Sequence, residues 1–225
     1  MNRTATRPPE SADHDVELDE QTLSDEVLRR ILIGMAVAVI AIVAVVVFVA
    51  GARWAATDTS EEPYGNADIG FLQDMIDHHE QALVISQIYL DNNPDGAARP
   101  YAREVILFQE RDIERMEAWL DEAGVERGGP GRTAMAWMGM PVALEQMPGM
   151  QTSARLAALE ASTGPQADRL FFDIMSDHHL GGVHMADGAA SRARRAEIRE
   201  FASKMADNQR IEVVEYDQAI RRLGL

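Results

Sequence analysis

A short pattern that ends in two adjacent histidines occurs twice in the chain, 100 residues apart. The first copy runs from Phe71 to His79 and the second from Phe171 to His179, and both share their Phe, Met, Asp and His positions. The same offset aligns Ala102 with Ala202, Gln109 with Gln209, Asp112 with Glu212 and Ile113 with Val213. Two blocks in one register indicate an internal duplication, which restricts the chain to folds built from repeated units.

Each copy predicts a hairpin of two helices. In the first hairpin, residues 66–124, helices are predicted over 66–91 and 98–123, separated by an Asn-Asn-Pro-Asp-Gly turn and ended by Gly124. In the second hairpin, residues 165–225, helices are predicted over 166–190 and 193–223. A single hairpin cannot bury its apolar stripe, whereas two facing hairpins can, so the sequence predicts an all-α four-helix bundle.

The segment that joins the two hairpins, residues 125–164, is long for a bundle and rich in methionine. Its methionines fall between Met135 and Met150, and a short helix is predicted over 152–162. Such a long connection is typically functional or contains minor structure of its own. Two interpretations remain open: a route that passes Cu(I) between thioethers, or a flexible apolar lid on the bundle.

The N-terminal part of the chain predicts a single membrane-spanning helix. Residues 31–50 are an uninterrupted apolar stretch, about the ~20 residues that cross a bilayer, within a predicted transmembrane segment of residues 29–53. Arg29 and Arg30 precede the stretch and favour a cytoplasmic N-terminus, which places the C-terminal domain outside the cytoplasm of a bacterial cell. A cleaved signal peptide is the alternative, although its apolar core is usually shorter.

The flanking segments and the composition narrow the classes of function. Residues 1–28 are acidic and lack an apolar period, so we expect a disordered cytoplasmic tail, and residues 54–65 are expected to be a linker. The chain has no cysteine, which excludes disulfides and thiolate metal sites. Its net charge of -16 argues against nucleic acid as a partner.

The histidine pairs are predicted to lie on the buried faces of the first helices. At about 100° per residue, His78 and His79 lie about -60° and +40° from Met75, on the face that holds Phe71. The second copy repeats this arrangement. Packed with pseudo-twofold symmetry, the hairpins bring together six candidate ligands: Met75, His78, His79, Met175, His178 and His179.

These side chains predict a metal site. Imidazole and thioether ligands together suit copper, and imidazoles with a carboxylate or water also suit zinc. Asp77 and Asp177 precede the pairs and are expected either to bind the ion or to orient an imidazole. His184 is a further candidate ligand, although Val84 occupies its place in the first copy.

The second helices carry candidate groups that orient the imidazoles. Gln109 with Asp112, and Gln209 with Glu212, are three residues apart, so each pair shares one helix face. The alternative to a metal site is a structural or partner-binding bundle with hydrogen-bonded core histidines. A metalloenzyme is the third hypothesis, and it is the least favoured, because the sequence offers no general base beyond Asp77 or Asp177. The Glu-x-x-His motif of di-iron bundles is also absent from the sequence, which argues against a di-iron enzyme.

The repeated Phe-x-x-x-Met-x-x-His-His pattern, followed by Met116-x-x-Trp119-Leu120, resembles domain of unknown function family 305 over about residues 64–223. The resemblance implies a ferritin-like four-helix bundle of bacterial extracytoplasmic proteins, some of which bind copper. Six residues correspond to the family's hallmark: Met75, His78, His79, Met175, His178 and His179. Ser176 departs from that pattern, since Ile76 stands in the first copy, and so do Gly181 and Gly182.

Overall fold

The structure is a computed structural model that describes residues 14–56, 63–129 and 131–225. The chain divides into two units, residues 1–60 and residues 61–225, and each is described by itself.

The first unit contains one long helix, α1 (His14–Ala56). Its stretch Val27–Phe48 has a mean hydropathy of 3.2 and is long and apolar enough to cross a membrane. The helix α1 therefore includes the whole of the predicted transmembrane segment of residues 29–53.

Both segments that flank the apolar stretch differ in part from the prediction. The expected disordered tail, residues 1–28, is helical from His14 onward, and residues 1–13 lie outside the described residues. A helix that already exists adds residues without a new nucleation cost, so a polar segment continues it. The predicted linker of residues 54–65 is helical up to Ala56, and residues 57–62 lie outside the described residues.

The second unit is the predicted four-helix bundle, and this prediction of the fold class is confirmed. Its four long helices are α2 (Asn66–Asn92), α3 (Arg99–Ala123), α5 (Gly164–Arg192) and α6 (Ala196–Leu223). The helices α2 and α3 form one hairpin, α5 and α6 form the other, and the two hairpins pack through α2 and α5. Gly124 and Gly224 end α3 and α6 with φ of 66° and 69°, the left-handed conformation that glycine adopts without strain.

The bundle core consists of two apolar clusters. One contains the residues of α2 before its histidines together with the last part of α5, and the other contains the residues of α2 after its histidines together with the first part of α5. Because α2 and α5 contribute in opposite order, they run antiparallel. Each histidine pair therefore lies at the boundary between the two clusters.

The connecting segment folds against the bundle. It contains a two-stranded antiparallel ribbon, β1 (Thr133–Ala134) with β2 (Val142–Ala143), and the short helix α4 (Ser153–Glu160) inside the predicted range 152–162. Asp74 of α2 anchors it by accepting hydrogen bonds from the Met135 backbone N–H (2.8 Å) and from Trp137 Nε1 (2.7 Å), and by pairing with Arg132. Trp137 approaches α2 at Gly70, where a Cβ atom would lie 2.4 Å from its ring.

Candidate metal centre

All four histidines of the two pairs are completely buried. His78 and His79 on α2, and His178 and His179 on α5, have 0 % exposure. The centroids of the His78 and His178 rings are 3.7 Å apart with an interplanar angle of 35°, so these two imidazoles are in direct contact across the hairpin interface. His79 and His179 lie beside them, each with its ring centroid more than 6 Å from that of its neighbour in the sequence (6.4 Å and 6.3 Å).

Burial keeps the two central imidazoles neutral. It lowers the pKa of His78 and of His178 well below the usual 6.5, because a charged imidazolium in the core loses its hydration, and the neighbouring histidines lower the pKa further. A neutral imidazole carries one N–H donor and one nitrogen lone pair. The lone pair is the form of histidine that binds metals.

Most ring nitrogens of these histidines make no hydrogen bond to any residue that the structure describes. The nitrogens without a partner are Nδ1 of His78, both nitrogens of His79, both nitrogens of His178, and Nδ1 of His179. A buried polar atom without a partner costs about 1–3 kcal/mol. The residues present therefore fit a bound metal ion, which supplies partners that the described protein atoms do not.

The two outer histidines face carboxylates of the second helices. His179 Nε2 lies 2.7 Å from Glu212 Oε2, and His79 Nε2 lies 3.5 Å from Asp112 Oδ2, a longer contact without hydrogen-bond geometry. When Nε2 of His179 donates to Glu212, the lone pair is placed on Nδ1, which is the orienting role predicted for Asp112 and Glu212. Tyr216 also places its hydroxyl 3.5 Å from His179 Nε2.

The amide oxygens of the neighbouring glutamines are buried as well. Gln109 and Gln209 are 5 % and 4 % exposed, and Oε1 of each makes no hydrogen bond within the described residues. Gln209 lies against Gly182, where a Cβ atom would come within 2.2 Å of Oε1. The space beside Gly182 is thus filled by an amide group.

A turn of the connecting segment covers the central histidines. The Pro148 carbonyl oxygen lies 3.2 Å from His78 Nε2, and a Cβ atom at Gly149 would lie 3.0 Å from the same nitrogen. This approach requires Gly181 on α5, since a Cβ atom there would lie 2.2 Å from the Pro148 oxygen. No local spacing in the sequence predicts this contact, because it depends on the path of a 40-residue connection. The Pro-Gly turn and the double glycine are its only signals in the sequence.

Three of the predicted metal ligands have surroundings that differ from those of the buried histidines, and their role as ligands stays a prediction. His184 is exposed, because at about 100° per residue it lies about 180° from Met175. Asp77 forms ion pairs with Arg127 and Arg132. The third, Asp177, is more than half exposed (56 % of its side chain) and pairs with Arg155.

The two predicted thioether ligands are buried on opposite sides of the histidines. Met75 belongs to one apolar cluster and Met175 to the other. In the connecting segment, Met135 and Met147 are buried in the same cluster as Met75, while Met140 is 42 % exposed. This packing matches the apolar lid more closely than a chain of thioethers.

In their present positions, no group of three or more His, Asp or Glu side chains within residues 63–129 and 131–225 is close enough to hold an ion together. The central pair alone supplies two neighbouring imidazoles. A larger set of ligands requires the side chains to rotate.

The family model that is described as a domain of unknown function, DUF305, matches residues 68–220. The chain belongs to the DUF305 family. This match confirms the resemblance stated from the repeated motif, and it includes both histidine pairs.

Solved DUF305 structures share the fold. A DUF305 protein from Streptomyces coelicolor, named as a candidate secreted protein, is 33% identical and aligns with 70% of this chain and 94% of its own, with a TM-score of 0.64. A DUF305 fragment from Deinococcus radiodurans is 28% identical, over 71% of this chain and 99% of its own, with a TM-score of 0.61. No curated protein matches the chain.

A structure of CopM in its Cu(II)-bound form shows the same fold. It is 23% identical and aligns with 69% of this chain and 97% of its own, with a TM-score of 0.51. At this identity the similarity establishes the DUF305 fold alone.

Proposed function

We propose that the chain is a membrane-anchored, extracytoplasmic protein that binds copper at its buried histidines. The observation that carries the proposal is the set of buried ring nitrogens without a partner among the described residues. His78 and His178 provide the centre, because their rings are in contact and their low pKa values leave the lone pairs free. His79 and His179 complete the candidate ligand set, each through a ring nitrogen that makes no hydrogen bond within the described residues.

The ligand types favour copper over other metals. Imidazole suits several transition metals, whereas a thioether is a soft ligand that selects Cu(I). Met75 and Met175 supply such thioethers from the two apolar clusters beside the histidines. Cu(I) also accepts two or three ligands, which agrees with a centre that begins from one pair of imidazoles. Zinc is the alternative ion, because imidazoles with one carboxylate, such as Glu212, can form a tetrahedral site.

Two comparisons support this proposal. CopM, which shares the fold, has been solved with Cu(II) and with silver, an ion that resembles Cu(I) in its preference for soft ligands. The Streptomyces coelicolor relative, named as a candidate secreted protein, supports a location outside the cytoplasm.

The apolar stretch of α1 supports the membrane anchor. Val27–Phe48 is long enough to span a bilayer, and Arg29 and Arg30 favour a cytoplasmic N-terminus. In membranes from expressing cells, the full chain is expected to remain in the pellet after alkaline carbonate extraction. Release of a shortened chain into the extracytoplasmic fraction would instead support the cleaved signal peptide.

Copper binding is tested on the full chain, purified in detergent without added metal. We expect competition with a chromophoric Cu(I) chelator to show tight, saturable binding. His78→Ala with His178→Ala is expected to abolish it, while His184→Ala, at an exposed position, is expected to leave it unchanged. If the double variant retains the helical circular dichroism spectrum and binds as much Cu(I) as the wild type, the proposed centre is wrong and the histidines are structural.

A further inference from the structure

A second, chemically different group of ligands lies in a cleft between α3 and α6. The cleft has a volume of about 270 Å³ and is lined by residues of both second helices and by His79 of α2. Four carboxylates surround it: Glu104, Asp112, Glu212 and Glu215. It lies on the Nε2 side of His79, since that nitrogen faces Asp112 at 3.5 Å.

The cleft contains buried polar atoms that the described protein atoms leave without partners. His79 is 0 % exposed, and its Nε2 makes no hydrogen bond within the described residues. Gln109, 5 % exposed, also lines the cleft and has an amide oxygen without a partner in the described part of the chain. These buried atoms are an observation independent of the acidic charge, and an amide oxygen such as that of Gln109 is a metal ligand in proteins.

The carboxylates of the cleft repel one another. Partial burial of its carboxyl group raises the pKa of Glu104, and the negative charges of Glu212 and Glu215 raise it further. Other carboxylates of the bundle, such as those of Asp77 and Asp177, instead form ion pairs with arginines. A cation in the cleft would relieve the repulsion between its carboxylates.

We propose that the cleft between α3 and α6 is a separate site for a divalent cation, bound by carboxylate oxygens and by the amide oxygen of Gln109. Oxygen ligands suit hard and borderline ions such as Mn²⁺, whereas the imidazole and thioether set of the core suits copper. The two sites therefore differ in the class of ion that they select.

Binding requires side chains to move. No three of the His, Asp and Glu side chains in the described residues converge in their present positions. Glu104 and Glu215 are exposed and free to rotate toward the cleft, while Asp112 and Glu212 already lie next to His79 and His179. Because the cleft is open to solvent, water can complete the coordination of the ion.

The test is a titration of the full chain in detergent with Mn²⁺, in which the six-line electron paramagnetic resonance signal of free Mn²⁺ decreases on binding. We expect one saturable site per chain. Asp112→Asn with Glu212→Gln should weaken its affinity at least tenfold, and Glu104→Gln with Glu215→Gln should weaken it several-fold. Because Glu104 and Glu215 are exposed, the latter variant tests the site even if the former does not fold.

The matched control removes two negative charges from α3 at positions outside the cleft. Glu110→Gln with Glu117→Gln changes exposed residues of α3 and should bind Mn²⁺ as the wild type does. If the control loses as much affinity as the cleft variants, or if the wild type shows no saturable site, the cleft is not a cation site and the net charge of -16 explains the binding.

The outcome is separable from that of the copper proposal. His78→Ala with His178→Ala is expected to retain the Mn²⁺ site, and the Glu104→Gln with Glu215→Gln variant is expected to retain copper binding. Failure of Cu(I) binding would leave the Mn²⁺ titration interpretable, and the reverse also holds.

Discussion

Acidification should destabilise the metal-free bundle through its two central histidines. In the folded protein, burial lowers the pKa of His78 and His178 well below 6.5, so both rings stay neutral at mildly acidic pH. In the unfolded chain they titrate near 6.5. Below that pH the unfolded state therefore binds more protons than the folded state, and stability decreases as the pH decreases.

The magnitude follows from the protonation of the unfolded chain. Lowering the pH from about 7.5 to about 5.5 stabilises the unfolded state by about 1.4 kcal/mol for each histidine that stays neutral in the folded protein. The pair His78 and His178 therefore accounts for a loss of about 2.7 kcal/mol. This is a large part of the roughly 5–15 kcal/mol that stabilises an ordinary domain.

The assay is urea unfolding of the full chain in detergent, with a chelator present, followed by tryptophan fluorescence at each pH. Trp119 lies in the bundle core, and Trp137 packs against that core. We expect His178→Gln to reduce the pH-dependent loss by about 1.4 kcal/mol. His184→Gln, at an exposed position, is the matched control and should show the wild-type loss.

A pH-dependent loss that is equal in the wild type and in His178→Gln would refute the reasoning. It would mean that the central imidazoles accept protons in the folded state, and hence that burial does not keep their lone pairs free.

The remaining predictions concern the contacts that position the centre. Gly181→Ala should lower the free energy of unfolding by about 1–3 kcal/mol in urea, because the new Cβ meets the Pro148 backbone at 2.2 Å. Gly188→Ala should lower it less, because its Cβ meets the flexible end of Met138 at 2.6 Å. Equal effects of the two substitutions would contradict the packing of the turn. Asp74→Asn should lower the free energy of unfolding by about 2–3 kcal/mol, because it weakens the bonds to Met135, Trp137 and Arg132. Asp77→Asn should lower it by less than about 1 kcal/mol, because Asp77 is more exposed (19 % of its side chain). Thermal melts of both variants measure this difference.

The fold was predictable from the sequence because its signals are local and duplicated. Helix spacing, the turn around Pro94 and the final glycines are each readable within one segment, so the predicted helices differ from the observed ones by three residues or fewer at each end. The repeat then indicated that the two hairpins pack as equivalents. The extension of α1 to His14 was missed, because a polar segment without an apolar period gives no sign that it continues a neighbouring helix.

The candidate site was predictable only in part. Helix periodicity places both histidine pairs on the buried faces, and the spacing on the second helices identifies Asp112 and Glu212. The same rotation places His184 and Asp77 on outer faces of their helices, which their position in the motif does not indicate. The contact of Pro148 and Gly149 with His78 depends on tertiary packing across a long connection, which no local pattern encodes.

The most direct test of a copper centre is X-ray absorption at the copper edge on the full chain loaded with one equivalent of Cu(I). The proposal predicts at least two imidazole nitrogens bound directly to copper, with the imidazole scattering lost in the variant that combines His78→Ala and His178→Ala. A spectrum with oxygen or sulfur ligands alone, or one that the double substitution leaves unchanged, would contradict it.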